Sequence, residues 1–226
     1  MTAAIGLYQR LSLPLPWNPA TEKTPLVIYG GATAVGAFAI KFAKLSNIHP
    51  LIVVAGRGTQ FVETLIEREK GDTIIDYREG DEAVQKKIRE SAGGSPIHYA
   101  FDAVSEKGSW QNISTGLTKP GKITVVLPAI GDKLPDGISI ERTFVGAAHS
   151  DPAEGKTVHD REFATAFFAF IGRGLAQGWY SGHPYEVRPG GLGGLEGALQ
   201  DLYRGKASAV KYVVRIGETE GVQSSA

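Results

Sequence analysis

The chain has 226 residues, 42% of them hydrophobic and 21% charged, which is the composition of a folded globular protein. Its 24 basic and 24 acidic residues cancel, so the sequence predicts no nucleic-acid or membrane partner and favours a small-molecule substrate. The absence of cysteine excludes disulfides and cysteine-ligated metals, and it agrees with a cytoplasmic location. No stretch predicts a membrane span, and residues 1–10 do not resemble a secretory signal.

The first 24 residues are predicted to form an opening helix followed by a proline-rich arm. Apolar residues repeat at helical spacing over residues 3–13, and the prolines that follow remove backbone donors that a helix needs. The apolar run Leu26–Tyr29 then predicts a strand that enters Gly30-Gly31, and a helical apolar period resumes directly afterwards. This segment is therefore expected to be a strand, a tight turn and a helix.

Strands and helices are predicted to alternate from residue 25 to residue 183. The expected strands cover residues 26–29, 51–55, 73–76, 97–104, 122–127 and 140–145. The expected helices cover residues 35–43, 60–68, 82–91, 109–117 and 160–176. Continuous apolar strands separated by amphipathic helices are typical of a parallel sheet buried on both faces. The predicted fold class is α/β, a doubly wound Rossmann-type sheet.

Residues 184–216 are predicted to form a small C-terminal α+β extension. Short strands are expected at residues 185–187 and 209–216, with a helix at Leu195–Tyr203 between them. Residues 217–226 have little apolar content, so we expect a flexible tail there.

The turn at Gly30–Gly36 is the segment with the clearest chemical meaning. Small residues between a strand and a helix let a pyrophosphate approach backbone N–H groups and the positive end of the helix dipole. Gly31 and Gly36 occupy the outer positions of G-x-G-x-x-G, whereas Thr33 replaces the middle glycine. Ala37 follows where an ATP-binding phosphate loop has lysine, which disfavours ATP hydrolysis. A glycine turn that only packs the helix on the sheet remains an alternative.

The end of the second predicted strand distinguishes between nucleotides. NAD-binding proteins place an acidic residue about 20 residues beyond the glycine turn to bind the ribose hydroxyls. This chain has Ala55-Gly56-Arg57-Gly58 instead, so no carboxylate is available for NAD or S-adenosylmethionine. Arg57 favours the 2′-phosphate of NADP, because a guanidinium binds phosphate through two parallel hydrogen bonds. Alternatively, Arg57 is a solvated loop residue.

Several motifs in the same order resemble the zinc-independent medium-chain dehydrogenase/reductase family. The resemblance is to its fungal trans-enoyl reductase and quinone oxidoreductase-like branch, and it covers residues 3–216. The motifs are LSLPLPWNP at 11–19, YGGATAVG at 29–36, AIKFAK at 39–44, DYR at 76–78, FDAV at 101–104 and HPYEVRPGGL at 183–192.

The family resemblance implies NADP(H) as cofactor and a role for each matching stretch. Thr33, Ala34 and Val35 would line the pyrophosphate, beside Gly31 and Gly36. Gly56 and Arg57 would contact the 2′-phosphate, with Tyr77 at the adenosine end. The remaining implied contacts are Val104 at the adenine ribose, Leu127 at the nicotinamide riboside, and Phe144 with Gly146 at the carboxamide.

A β-rich, GroES-like substrate domain precedes this region in the family, and this sequence lacks it. Most substrate-contacting side chains would lie there, so no catalytic residue is assigned. Strands 185–187 and 209–216 would rejoin that domain, and we expect them to lack partners here. The strand at 209–216 would then invite a second copy of the chain or another protein.

Other catalytic constellations are not supported by the sequence. The five histidines are scattered without the spacing of a zinc site, so no metal is predicted. His149-Ser150-Asp151 contains the residue types of a hydrolase triad, but adjacent residues cannot form the relay. Phe163, Phe167, Phe168 and Phe170 are expected to form a buried helix face.

The leading hypothesis is an NADPH-dependent oxidoreductase that reduces an activated C=C bond of an enoyl, enone or quinone substrate by hydride transfer. An alternative is a stand-alone NADP(H)-binding or partner-binding module, a truncated reductase without turnover of its own. A third is a non-redox enzyme that reuses the cofactor cleft.

Overall fold

A computed structural model describes residues 1–129, 133–150 and 159–222. The chain divides into two compact units, Met1–Ser181 and Gly182–Ala226. No helix in these described ranges combines the length and apolar character that crossing a lipid bilayer requires.

Six parallel strands form one sheet in the first unit. In chain order they are β1 (Leu26–Tyr29), β2 (Leu51–Ala55), β3 (Thr73–Asp76), β4 (Tyr99–Asp102), β5 (Gly121–Val125) and β6 (Ile138–Arg142). They lie side by side in the order 3-2-1-4-5-6, so the direction of winding reverses between β1 and β4. This order confirms the predicted doubly wound α/β class.

The helices of the first unit lie on both faces of the sheet. In chain order they are α1 (Thr2–Ala4, continued by the π-helical turn Ile5–Arg10), α2 (Ala34–Leu45), α3 (Thr59–Glu63), α4 (Asp81–Ser91), α5 (Ser109–Gly116) and α6 (Asp160–Gln177). One apolar cluster contains residues of α1, α2, α3 and α6, and a second contains residues of α4 and α5.

Alternate residues of each central strand enter these two clusters. Leu26 and Ile28 of β1 pack in the first cluster, and Val27 and Tyr29 pack in the second. Successive side chains of a strand point to opposite faces, so a strand covered on both sides needs an unbroken apolar run. The LVIY sequence of β1 meets that requirement.

A buried ion pair connects α1 to α6 across 150 residues. The Arg10 guanidinium donates to both carboxylate oxygens of Asp160, and its Nε lies 3.5 Å from Glu141 of β6. Arg10 and Asp160 are both buried. The pair therefore fixes the first helix against the last helix and the last strand of this unit.

The predicted helix at residues 60–68 is wrong beyond residue 63. The helix α3 ends at Glu63, and Glu67 has an extended backbone with φ −123° and ψ 93°. The buried Asp72 carboxylate accepts the N–H of Glu67 at 2.9 Å and that of Leu51 at 2.7 Å. These bonds tie the segment to the sheet and offer its backbone a partner outside a helix.

The predicted aromatic face of α6 is correct except at Phe168. Phe163, Phe167 and Phe170 are spaced at helical intervals and pack in the first apolar cluster, where Phe167 is fully buried. Phe168 is 54% exposed, because consecutive helix residues point about 100° apart.

The second unit contains two strands that pair in parallel with each other. They are β7 (Tyr185–Arg188) and β8 (Lys211–Val214), joined by α7 (Leu195–Tyr203). The expectation that these strands would lack partners is therefore wrong: the helical crossover between them is long enough for parallel pairing. Thr219, which follows β8, accepts the N–H of Leu192 with its Oγ1. Of the predicted tail, residues 223–226 lie outside the described part.

Candidate cofactor site

Every strand of the six-stranded sheet ends at the same edge, and the predicted site residues follow those ends. In-register partners join Tyr29 to Asp102, Asp102 to Val125 and Val125 to Arg142. The residues that follow the six strand ends in turn are Gly31 to Gly36, Gly56 with Arg57, Tyr77, Val104, Leu127, and Phe144 with Gly146. In open α/β sheets, ligands bind at this carboxyl edge, where the direction of winding reverses.

The glycine turn is packed so closely that larger residues do not fit. A Cβ on Gly36 would lie 2.3 Å from the carbonyl oxygen of Gly30, and one on Gly31 would lie 2.1 Å from Val53 Cγ1. Gly30 itself has φ +83°, a left-handed conformation that favours glycine. These contacts bring the start of α2 directly against the end of β1.

Thr33 is the N-cap of α2. Its Oγ1 accepts the N–H of Gly36 at 3.0 Å, and its own N–H donates to Gly30 O. Of the first four N–H groups of this helix end, those of Ala34 and Val35 have no partner within the described residues. Thr33 thus shapes the helix end with its acceptor lone pair and retains its own hydroxyl proton for donation.

The end of β2 lies beneath the ring of Tyr77. A Cβ on the buried Gly56 would lie 2.4 Å from Tyr77 Cε1, so the ring covers the Gly56 backbone. Arg57, the next residue, is exposed. The β2 and β3 ends therefore place an aromatic ring and a guanidinium-bearing residue beside each other at the same edge.

The turn that carries Tyr77 is fixed by its neighbours. The Asp76 carboxylate accepts the N–H of Arg78 at 2.9 Å and is paired with the Arg78 guanidinium. These hydrogen bonds lower the pKa of Asp76 to about 2. The carboxylate stays charged at neutral pH and holds the turn.

The crevice between β1 and β4 is bordered by Gly30 and Val104. A Cβ on Gly30 would lie 2.6 Å from Val104 Cγ2. The turn after β4 is held by the buried Asp102 carboxylate, which accepts the N–H groups of Val104 and Ser105 and the Ser109 hydroxyl. Burial raises the pKa of Asp102, against the lowering effect of these three donors.

Sequence reasoning included Asp102 in a motif but missed its role. The available signal was an aspartate at a strand end followed three residues later by serine, a combination that caps turns through side-chain hydrogen bonds.

The ends of β5 and β6 present exposed apolar side chains. Leu127 is 41% and Phe144 56% exposed. The Phe144 ring lies over Gly146, whose added Cβ would approach it to 2.3 Å, and the Arg142 guanidinium lies 5.3 Å from the ring centre. Leu127 and Phe144 share the sheet edge with the glycine turn but, unlike the buried Gly31 and Gly36, are exposed.

The described ranges contain no cluster of three or more histidine, aspartate or glutamate side chains placed to hold a metal ion. Two residues of the rejected triad, His149 and Ser150, are exposed, and Asp151 lies outside the described residues.

A cavity of about 290 Å³ lies near the far end of α2, away from the glycine turn. Its lining includes Lys41 and Lys44, whose ammonium groups bond to Ser181 and to Leu65 O, and Lys44 is also paired with Glu67. Because the lysines are engaged, we assign no nucleotide site there.

The sequence matches no established family profile. It is 47% identical over 193 residues to a trans-enoyl reductase of Gibberella fujikuroi, covering 84% of this chain and 55% of the relative. It is 31% identical over 221 residues to a trans-enoyl reductase of Alternaria alternata, covering 95% of this chain and 62% of the relative. The chain therefore spans less than two thirds of the length of these curated relatives.

Solved structures agree in fold. A probable oxidoreductase of Mycobacterium abscessus superposes with a TM-score of 0.66 at 22% identity, covering 94% of this chain and 58% of the other. At this identity the likeness speaks for the fold alone. The sequence similarity to trans-enoyl reductases and the shared fold agree with the resemblance of the sequence motifs to the medium-chain dehydrogenase/reductase family.

Proposed function

We propose that this chain binds NADP(H) and is the cofactor-binding part of an oxidoreductase that reduces an activated C=C bond in an enoyl, enone or quinone substrate. One observation carries the proposal: the α2 N-terminus and the residues predicted to contact the cofactor follow the carboxyl ends of all six strands, at one edge of the sheet. The names of the two fungal relatives support the reaction class.

The residues present fit a dinucleotide. Gly31 and Gly36 carry no side chain, and their close packing brings the N–H groups at the start of α2 beside the end of β1. The N–H groups of Ala34 and Val35 begin α2 and would donate to its oxygens, with the helix dipole favouring the negative charge.

The selective contact in this proposal is made by Arg57. It follows β2 at the position where an acidic residue would bind the ribose of NAD, and Gly56 and the Tyr77 ring lie beside it. A guanidinium there would pair with the 2′-phosphate, and the adjacent tyrosine hydroxyl would donate to the same group.

The proposed chemistry requires the chain to orient the cofactor and to exclude water from one of its faces. When bound, NADPH supplies the hydride. Val104 would border the adenine ribose, Leu127 the nicotinamide riboside, and the backbone from Phe144 to Gly146 the carboxamide. No acid or base of this chain is assigned to the substrate.

Titration calorimetry with both nucleotides tests the proposal. We expect NADPH to bind at micromolar concentration and NADH at least about tenfold more weakly, since each 1.4 kcal/mol of lost interaction is tenfold in affinity. Equal affinities for NADPH and NADH would contradict the proposed role of Arg57. If neither nucleotide bound with a Kd below the millimolar range, the proposal would be overturned.

A second candidate function is that of a cofactor-binding or partner-binding module without turnover of its own. The observation that favours it is the exposure of Leu127 and Phe144, the side chains proposed to lie beside the nicotinamide. A reactive ring against an exposed surface is open to water. NADPH consumption with a panel of enones and quinones distinguishes the two, because a module would bind the nucleotide and oxidise none of it.

We also propose that the C-terminal strand region, 209–216, offers an edge to a second copy or another chain. β8 pairs with β7 on one side, and no strand of the described residues pairs with its other side. Light scattering of the purified chain tests this: a mass of one chain across the micromolar range would exclude the homodimer.

A cytoplasmic location is proposed from the absence of cysteine and is tested by imaging a fluorescent fusion.

A further inference from the structure

Ser105 has an unusual backbone for its residue type. It is buried, and its φ is +61°, a left-handed conformation that few residues other than glycine adopt. Such a conformation persists only where surrounding contacts hold it, and such positions cluster at functional sites.

The Ser105 hydroxyl links the ends of two neighbouring strands. Its Oγ donates to the carbonyl oxygen of Asp102 at 3.1 Å and accepts the N–H of Val126 at 2.9 Å. Asp102 is the last residue of β4, and Val126 directly follows β5. One side chain thus connects the strand that leads to Val104 with the strand that leads to Leu127.

The two sides of this link are not equally dependent on the hydroxyl. On the β4 side, the Asp102 carboxylate holds the N–H groups of Val104 at 2.9 Å and Ser105 at 2.8 Å, bonds that need no Ser105 side chain. On the β5 side, the N–H of Val126 is bonded to the Ser105 hydroxyl. Removing the hydroxyl would take this partner from the Val126 N–H and leave the β4 turn in place.

We propose that Ser105 is a positioning residue that sets the distance between Val104, on the ribose side of the crevice, and Leu127, on its nicotinamide side. It would thereby contribute to binding of the nicotinamide half of the cofactor. This inference rests on the proposed function. It assigns Ser105 no contact with the cofactor itself.

The variant Ser105→Gly tests the proposal, because glycine adopts φ +61° without strain and removes the hydroxyl together with its Cβ. We expect the Kd of NADPH to rise about five- to tenfold, the usual worth of one hydrogen bond. The Kd of adenosine 2′,5′-bisphosphate, which has no nicotinamide, should change less than about twofold. Ser105→Cys, with a weaker acceptor, should lie between.

Ser12→Gly is the matched control, since Ser12 also has a positive φ, +55°, but is exposed and precedes the sheet. Both nucleotides should bind this variant as they bind the wild type, which separates the effect of a glycine at positive φ from the loss of the Ser105 hydroxyl. Hydrogen exchange of the nucleotide-free chain gives a direct readout of the link. The Val126 amide should exchange faster in Ser105→Gly, and the Val104 amide should not.

The outcomes separate the two proposals. Suppose that the wild type binds both NADPH and adenosine 2′,5′-bisphosphate. Only the positioning role is then overturned if Ser105→Gly weakens the binding of both ligands equally, or if it changes neither their binding nor the exchange rate of the Val126 amide. A wild-type chain that binds neither ligand overturns the proposed function and this inference with it.

Discussion

The two halves of the candidate site are built differently. On the side of β1 to β3, glycine backbone is closely covered: Gly36 lies against the Gly30 carbonyl, and Gly56 lies beneath the Tyr77 ring. On the side of β4 to β6, the corresponding positions are exposed apolar side chains, Leu127 and Phe144. The first half is shaped by close packing that tolerates no added atom, and the second by side chains with few neighbours.

This difference has a consequence for what each half needs from the rest of the molecule. A surface made of buried backbone is in place before any ligand arrives, so binding there costs little ordering. Exposed apolar side chains have fewer contacts to hold one rotamer, so binding against them costs more ordering. We therefore expect substitutions in the first half to affect both folding and binding, and substitutions in the second half to affect mainly binding.

The largest expected effect is on the free energy of unfolding, and it concerns the ion pair that joins α1 to α6 and β6. Arg10→Ala removes the guanidinium from the buried Asp160 carboxylate and from Glu141 of β6. Breaking a buried pair from one side costs about 3–5 kcal/mol, since a buried charge loses its partner. Chemical denaturation should report a loss of this size in the free energy of unfolding.

The matched comparison is the double variant Arg10→Met with Asp160→Leu. It removes both charges and should lose clearly less stability than Arg10→Ala. If the single and double variants are equally unstable, the ion pair is not the cause.

The next largest effect tests the backbone packing of the first half. In Gly36→Ala, the new Cβ meets the Gly30 carbonyl, and neither backbone can move without distorting the turn. Overpacking of this kind costs about 1–3 kcal/mol. The unfolding midpoint and NADPH affinity should fall together.

Gly172→Ala in α6 is the control for a helical glycine, because a Cβ there meets nothing within 4 Å. Alanine has the higher helix propensity, so this variant should gain up to about 1 kcal/mol and leave binding unchanged. A Gly36→Ala chain as stable as this control would contradict the close approach at the turn.

The sequence was sufficient for the parts of the molecule that depend on local pattern. An unbroken apolar run such as Leu26–Tyr29 predicts a strand covered on both faces, and the glycines that follow identify the turn without knowledge of any contact. Those features, with the helical periods between them, were enough to predict the fold class and to predict that the site lies at one shared edge of the sheet.

Long-range contacts could not be predicted from the pattern. Nothing local indicates that Arg10 meets Asp160, that Asp72 accepts the N–H of Glu67, or that Ser105 joins two strands. The pairing of β7 with β8 also depends on the path of the chain between them. In each case the tertiary structure brings the partners together, and residue type and spacing along the chain do not specify which residues meet.

A smaller effect tests the selectivity of the first half. Arg57→Ala should raise the Kd of NADPH about 10- to 100-fold, as expected for a charged hydrogen bond worth about 1.5–3 kcal/mol, and leave NADH unchanged. Arg89→Ala is the control: Arg89 is exposed in the last turn of α4, far from the carboxyl edge. Equal weakening of both nucleotides by Arg57→Ala would make its role general and not specific for the 2′-phosphate.

The smallest expected effect is on stability in the second half. Phe144 is half exposed, so Phe144→Ala should change the free energy of unfolding by no more than about 0.5 kcal/mol, whereas Phe167→Ala, at a fully buried ring, should cost about 3–5 kcal/mol. Thermal or denaturant unfolding measures both. If Phe144→Ala were as damaging as Phe167→Ala, its ring would be part of the core, and the contrast between the two halves would fail. A Phe144→Ala chain with unchanged stability and weaker NADPH binding would show that this ring acts on the ligand, because the fold would not depend on it.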